Sequence, residues 1–148
     1  LVDFNNPDNN TFHVASQLWI KGETYYRRPD LIIFVNGFPF VFIELKNSNI
    51  PVKNAYDKNL KDYMKDIPYL FNYNQICVLS NGIETRLGSF KADYNYFFEW
   101  LKVESEKESP NRKEIKKQGI SLEYFIKGLC KPSNLLDYIE NFILYERS

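Results

Sequence analysis

Two apolar runs restrict this chain more than any other feature: Leu31-Ile-Ile-Phe-Val35 and Phe38-Pro-Phe-Val-Phe-Ile-Glu-Leu45, separated by Asn36-Gly37. Runs with so little alternation suit strands covered on both faces, central in a sheet. Asn36-Gly37 is a strong hairpin signal, because both residues accept positive φ. Pro39 has no N–H for a ladder, so the second strand should be irregular near its start. Asp30 opens the first strand and Glu44-Leu45-Lys46 closes the second. Ionisable groups at the margins of so apolar a pair need a partner or a task, since desolvating them is costly.

The register decides whether these charges can act together. A plain two-residue loop pairs Val35 with Phe38, and so Asp30 with Ile43. Directly opposed residues point to one face, so Asp30 and Glu44 would then face apart. A shared site demands a shift of one residue, which predicts a bulge near Phe38–Phe40 or a longer loop. Glu44 and Lys46 are two apart and project to one face of a strand. If the three converge, the chemistry fits phosphodiester hydrolysis. Carboxylates suit Mg2+, a hard cation that prefers oxygen ligands. Lys46 would orient the attacking water and stabilise charge building on phosphorus. Taken as spacing alone, an Asp upstream of Glu-x-Lys is commonplace, and solvated or salt-bridged strand ends are the plainer reading. Three details favour a site: the apolar flanks, Pro29 fixing the backbone before Asp30, and a following helix that offers Asn59 and Tyr63 on one face.

The rest of the chain frames that hairpin. At 148 residues, with 44% hydrophobic and 17% aromatic content, it fits one domain with ample core. A formal net charge of zero excludes a globally basic nucleic-acid binder and leaves only local patches. No apolar run reaches the ~20 residues of a membrane span, so no membrane role is expected. Cys77 and Cys130 lack metal spacing and read as free thiols of a cytoplasmic protein. The chain opens at Leu1 without an initiator Met or a secretory signal, which reads as a fragment of something longer.

Asn5–Asn10 is a turn cluster and Thr11–Ile20 favours a strand. Asn54–Ile67 reads as an amphipathic helix with Tyr56, Leu60, Tyr63 and Ile67 on one side and lysines mostly on the other. Gln75–Ser80 is a strand, and Asn81-Gly82 a second hairpin turn into 83–87. The pattern of Tyr96, Phe97, Trp100 and Leu101 predicts a helix over 92–103. The Glu, Lys, Ser and Asn content of 104–118 predicts a solvated linker, or a weak helix at most. Ser121 and Ser133 each open a further helical pattern as a candidate cap. The expected fold is α/β, a mixed, mostly antiparallel central sheet flanked by helices, with a C-terminal helical extension. The expected division is 1–103, 104–118 and 119–148.

Arg28-Pro-Asp30, the run from Phe34 to Lys46, and Asp66-Ile-Pro-Tyr-Leu-Phe71 with Ser80-Asn-Gly82 resemble the nuclease domain of the type I restriction enzyme R (motor) subunit, of the PD-(D/E)xK superfamily. The resemblance runs from about residue 6 to residue 100. It implies a restriction-endonuclease-like fold, Asp30 and Glu44 as metal ligands, the Leu45 carbonyl as a third, and Lys46 as the catalytic lysine. It also implies a Gln-x-x-x-Tyr motif on the next helix, which lands on Asn59 and Tyr63 with the shorter amide of Asn59 in place of Gln. A family member would carry helices before this segment and an ATP-driven motor after it. No phosphate loop occurs here, so ATP enters only through the parent protein. The implied partners are double-stranded DNA and the methylation and specificity subunits of a restriction complex.

Two other readings stand beside this one. The first is a repair or junction-resolving nuclease of the same superfamily. The second is a DNA-binding or docking module of the same fold that does not cut. Of the other polar residues, His13 is the single histidine and reads as structural. Arg27 and Arg28 suit phosphate contact or plain solvation equally. The aromatics at 94–100 read as core, and Asp66 as a residue without special role.

Overall fold

The computed structural model describes residues 1–99, 112–119 and 121–143. Eight strands are formed among them: β1 (Phe12–Ser16), β2 (Ile20–Lys21), β3 (Tyr26–Arg27), β4 (Leu31–Val35), β5 (Phe38–Leu45), β6 (Ile76–Ser80), β7 (Thr85–Gly88) and β8 (Phe98–Glu99). Helix α1 runs between β5 and β6, π-helical over Ala55–Leu60 and α-helical over Lys61–Asp66. After β8 come α2 (Arg112–Gln118), α3 (Ser121–Gly128) and α4 (Pro132–Tyr138), which continues π-helically over Ile139–Ile143.

Six strands form one sheet in the order β1-β4-β5-β6-β7-β8, with β2 and β3 as a separate ribbon. All neighbours in the main sheet are antiparallel except β5 and β6, which α1 links in parallel. The two greasy strands are central, as their lack of alternation predicts. Each face has its own core. Ile32 and Phe42 point to the side covered by Tyr56, Leu60, Tyr63 and Ile67 of the α1 region. Ile33, Val35, Val41 and Ile43 point to the other side, where Phe125, Leu129, Leu135, Leu136 and Ile139 cover them. The described part of 119–148 is therefore a layer of the same core.

The hairpin turn itself is the plain kind. Asn36 and Gly37 have φ of 51° and 84°, and Val35 pairs with Phe38. The irregularity lies inside the strand. Phe34 opposes Pro39, whereas Ile33 opposes Val41, so Phe40 is the extra residue of a bulge. Beyond it the register has moved by one, and Leu31 opposes Ile43.

Three sequence expectations change. Residues 92–99 are not helical: a short 3-10 turn at Tyr94–Tyr96 leads into β8, which extends the sheet beside β7. The Arg86 guanidinium donates to the Phe97 carbonyl at 3.0 Å and the Phe97 ring meets Tyr56 edge-on, so tertiary partners override the helical pattern. Phe97 is core as expected, but Tyr96 is exposed; residues 100–103 lie outside the described ones. Helix α4 begins with Pro132 in its first turn and has no side-chain cap, so Ser133 is not its N-cap. Within the stretch read as a linker, Arg112–Gln118 is an α-helix with Ile115 buried, and 104–111 lie outside the described residues.

The β2–β3 ribbon has only two residues per strand, too few to stand alone. Three contacts moor it to the C-terminal end of α1 and the 3-10 turn that follows, Pro68–Phe71. Arg27 pairs with Asp66 at 2.6 Å, the Tyr69 hydroxyl donates to the Lys21 carbonyl, and Gly22 lies against the Asp66 carbonyl. A Cβ on Gly22 would sit 2.0 Å from that carbonyl oxygen and 2.8 Å from the Tyr25 oxygen. Gly22→Ala should therefore push the ribbon off α1 and cost about 1–3 kcal/mol, the usual range for overpacking. Denaturant unfolding checks this; a midpoint equal to wild type would show that the ribbon is not moored there.

Candidate functional site

The bulge at Phe40 builds the site. With Leu31 opposite Ile43, the next pair outward is Asp30 and Glu44, now on the α1 face. Asp30 is held across the hairpin, where its Oδ2 accepts the Leu45 N–H at 2.8 Å. Glu44 lies deeper, between β4 and β6, and is only 4% exposed. Lys46 continues the parallel ladder by donating its N–H to the Ser80 carbonyl at 2.8 Å, and its side chain is half-buried.

From the opposite layer, the Tyr63 hydroxyl reaches Glu44 Oε1 at 3.5 Å, the long end of hydrogen-bond distance. Its ring stands edge-on to Phe42 at 5.5 Å. One turn earlier, Asn59 sits in the π-helical stretch, a backbone form that recurs at functional sites. Asp30, Glu44, Leu45, Lys46, Asn59 and Tyr63 thus gather where the open end of the β4–β5 hairpin meets α1. Arg28 does not join them: it is exposed, with its guanidinium over the Trp19 ring at 5.1 Å.

Burial and neighbouring charges shift two groups of this cluster. Burial pushes the Glu44 carboxyl up from 4.5 to about 7, Asp30 pushes in the same direction, and the Lys46 charge opposes them. Burial likewise raises the Tyr63 hydroxyl to about 12, with Glu44 adding to the rise and a hydrogen bond with Asn59 opposing it. Glu44 Oε2 and Asn59 Oδ1 are both buried without a hydrogen-bond partner. Buried acceptors are ordinarily satisfied, and orphaned ones call for an explanation. A cation between these oxygens and Asp30 would supply it, and an all-oxygen set suits a hard ion. Among the described residues no three His, Cys, Asp or Glu side chains cluster, so neutral oxygens must complete any such coordination shell.

Sequence reasoning missed two participants. Asp66 is the partner that holds Arg27, and 39 positions separate them in the chain. Gln17 donates its N–H to the Asp30 carbonyl at 2.9 Å from a left-handed backbone with φ of 51°. Neither pairing has a local signature. The exposed His13 lies on β1 opposite Phe34, and both cysteines are free thiols.

The raised Glu44 value makes a stability prediction for the metal-free protein. A group whose folded pKa lies above its unfolded value contributes fully below the unfolded one, and that contribution is lost as pH rises through the folded one. Wild type should thus lose roughly 3 kcal/mol relative to Glu44→Gln on going from below pH 4.5 to above about 7. Denaturant titrations in chelator at several pH values measure this. A wild-type to variant difference independent of pH would rule it out.

Residues 1–96 match the family described as type I restriction enzyme R protein N terminus. The HindI type I restriction enzyme endonuclease subunit of Haemophilus influenzae is 40% identical over 153 residues, covering 99% of this chain and 14% of that protein. A Methanocaldococcus jannaschii protein whose name assigns it as the endonuclease subunit of type I restriction enzyme MjaIXP is 38% identical over 164 residues, covering 99% of this chain and 16% of that protein. The SauCOLORF180P type I restriction enzyme endonuclease subunit of Staphylococcus aureus is 36% identical over 77 residues, 52% of this chain and 8% of that protein. The chain therefore spans about a sixth or less of the relatives it matches. With the family matched over residues 1–96, and two of these relatives aligned over 99% of this chain, this chain belongs to the type I restriction enzyme R protein N-terminus family.

Proposed function

We propose that this chain is the metal-dependent endonuclease region of a type I restriction R subunit, hydrolysing phosphodiester bonds of double-stranded DNA. The observation that carries the proposal is Glu44: a carboxylate 4% exposed, coupled to Asp30, with one oxygen left without a donor. Such a group is unfavourable unless a cation offsets it. In this reading Asp30, Glu44 and the Leu45 carbonyl would hold Mg2+, in a site of the PD-(D/E)xK pattern. When bound, Mg2+ polarises a phosphoryl oxygen and favours hydroxide at neutral pH.

The chain's own residues do the rest. The Leu45 N–H fixes the Asp30 carboxylate, and β4 and β6 hold Glu44 between them. Lys46, half-buried beside Glu44, orients the attacking water and stabilises charge on the phosphorus. Tyr63 and Asn59 position Glu44 from α1. The names of the relatives support the nuclease reading, because each is called an endonuclease subunit. Methylation and specificity subunits complete the complex and select the DNA, and ATP acts through the motor of the parent protein.

The test is cleavage by the assembled complex. Glu44→Gln and Lys46→Ala should each lower the cleavage rate about 10²–10³-fold while ATP hydrolysis continues. Calorimetric Mg2+ binding to the protein should vanish in Glu44→Gln. Cleavage intact in both variants would instead favour a docking or DNA-binding module that does not cut.

A further inference from the structure

Between Gln17 and Arg28 the chain makes an excursion that leaves and returns beside Asp30. It departs at Gln17, whose N–H is bonded to the Asp30 carbonyl in a left-handed conformation that non-glycine residues seldom adopt. It returns at Arg28, one buried proline away from Asp30. Within it lies the β2–β3 ribbon, moored to the end of α1 by Arg27, Lys21 and Gly22. A ribbon this short needs such moorings, and they hold it against the helix that carries Asn59 and Tyr63.

The outward side of the excursion is apolar where a soluble surface would be polar. Trp19 is 62% exposed, Tyr25 56% and Tyr26 59%. These rings serve no core, and each arginine of the segment sits over one of them: Arg28 over Trp19 at 5.1 Å and Arg27 over Tyr25 at 5.6 Å. In a chain of zero net charge, residues 18–28 carry Lys21, Arg27 and Arg28 against Glu23 alone. Arg27 is spent on Asp66, which leaves Arg28 and Lys21 as the cations facing solvent. Aromatic faces interleaved with guanidinium groups are the chemistry that stacks an unpaired base and holds its phosphate.

We propose that the ends of this ribbon form a strand grip, in which Trp19, just before β2, stacks a base exposed where the DNA duplex is opened for cutting, and Arg28, just after β3, holds the adjoining phosphate. The proposal rests on the nuclease reading of the carboxylate site and names how its substrate strand is held. Stacking is tolerant of sequence, which suits a cutting site whose DNA is selected elsewhere.

The test is oligonucleotide binding in chelator, independent of metal and of cleavage. A fluorescein-labelled thymidine single strand is titrated by anisotropy, and Trp100→Phe makes Trp19 the sole tryptophan for a direct readout. Trp19 emission should be quenched on binding, and Trp19→Ala should weaken binding about tenfold, whereas Trp19→Phe should restore most of it. An abasic strand should bind wild type and Trp19→Ala equally. Unfolding midpoints should match, since the ring is exposed. Equal affinity of wild type and Trp19→Ala for the thymidine strand, or no binding to wild type at all, overturns the grip, and the latter would turn the patch into a protein-docking surface. Glu44→Gln separates the two proposals. If it cuts normally, the carboxylate reading fails whatever Trp19 does. If it abolishes cleavage while Trp19→Ala binds and cuts as wild type, only the grip fails.

Discussion

One extra residue in one strand governs this structure. The turn at Asn36-Gly37 sets a register in which Asp30 and Glu44 would look out from opposite faces of the sheet. Phe40 bulges from β5 and resets the pairing, so that Leu31 meets Ile43 and the two carboxylates come to one side. Because side chains alternate strictly along a strand, nothing smaller than a one-residue slip can do this, and nothing larger is needed. The bulge falls three residues after Gly37 and beside Pro39, where the ladder already lacks a donor. The local defect is thus placed where the sheet loses little by it.

The consequence is a carboxylate in an environment built for apolar groups. Glu44 shares its face with Phe42 and the buried ring of Tyr63, and β6 runs beside it in parallel. Desolvation dominates its titration, ahead of the repulsion from Asp30. A fold selected only for stability would place a hydrophobic residue there, since a buried ion pair seldom repays its desolvation. That a carboxyl group sits at so buried a point of the hairpin ties the hairpin's stability to its protonation and to whatever neutralises it. The oxygens of Glu44 and Asn59 that lack donors are the ones the proposed cation would satisfy.

The two faces of the sheet divide the labour. The far face is ordinary core, covered by α3 and α4 through Phe125, Leu129, Leu135 and Leu136. The near face carries α1, which places Asn59 in its π-helical start and Tyr63 in its α-helical part, and whose end anchors the β2–β3 ribbon through Asp66. Helix, hairpin end and ribbon are therefore joined by direct contacts, and the candidate residues lie among them.

By itself, the sequence determined the central hairpin, the helix after it, the free cysteines and the need for a register slip. Each follows from short-range rules: unbroken apolar runs make covered strands, Asn-Gly makes a tight turn, and period-two geometry makes the parity of Asp30 and Glu44 calculable. The candidate residues Asp30, Glu44, Lys46, Asn59 and Tyr63 were legible for the same reason, being spaced within two adjacent elements. Only the tertiary structure decided how deeply Glu44 is buried, that its Oε2 lacks a donor, and that Arg27 is taken by Asp66 while Arg28 lies on Trp19. It also turned residues 98–99 from an expected helix into an edge strand, because β7 offered a free ladder and Tyr56 a ring to pack on. Burial and pairing depend on groups brought together from different elements, as with Arg27 and Asp66, 39 positions apart, and no local pattern encodes which partner will be there.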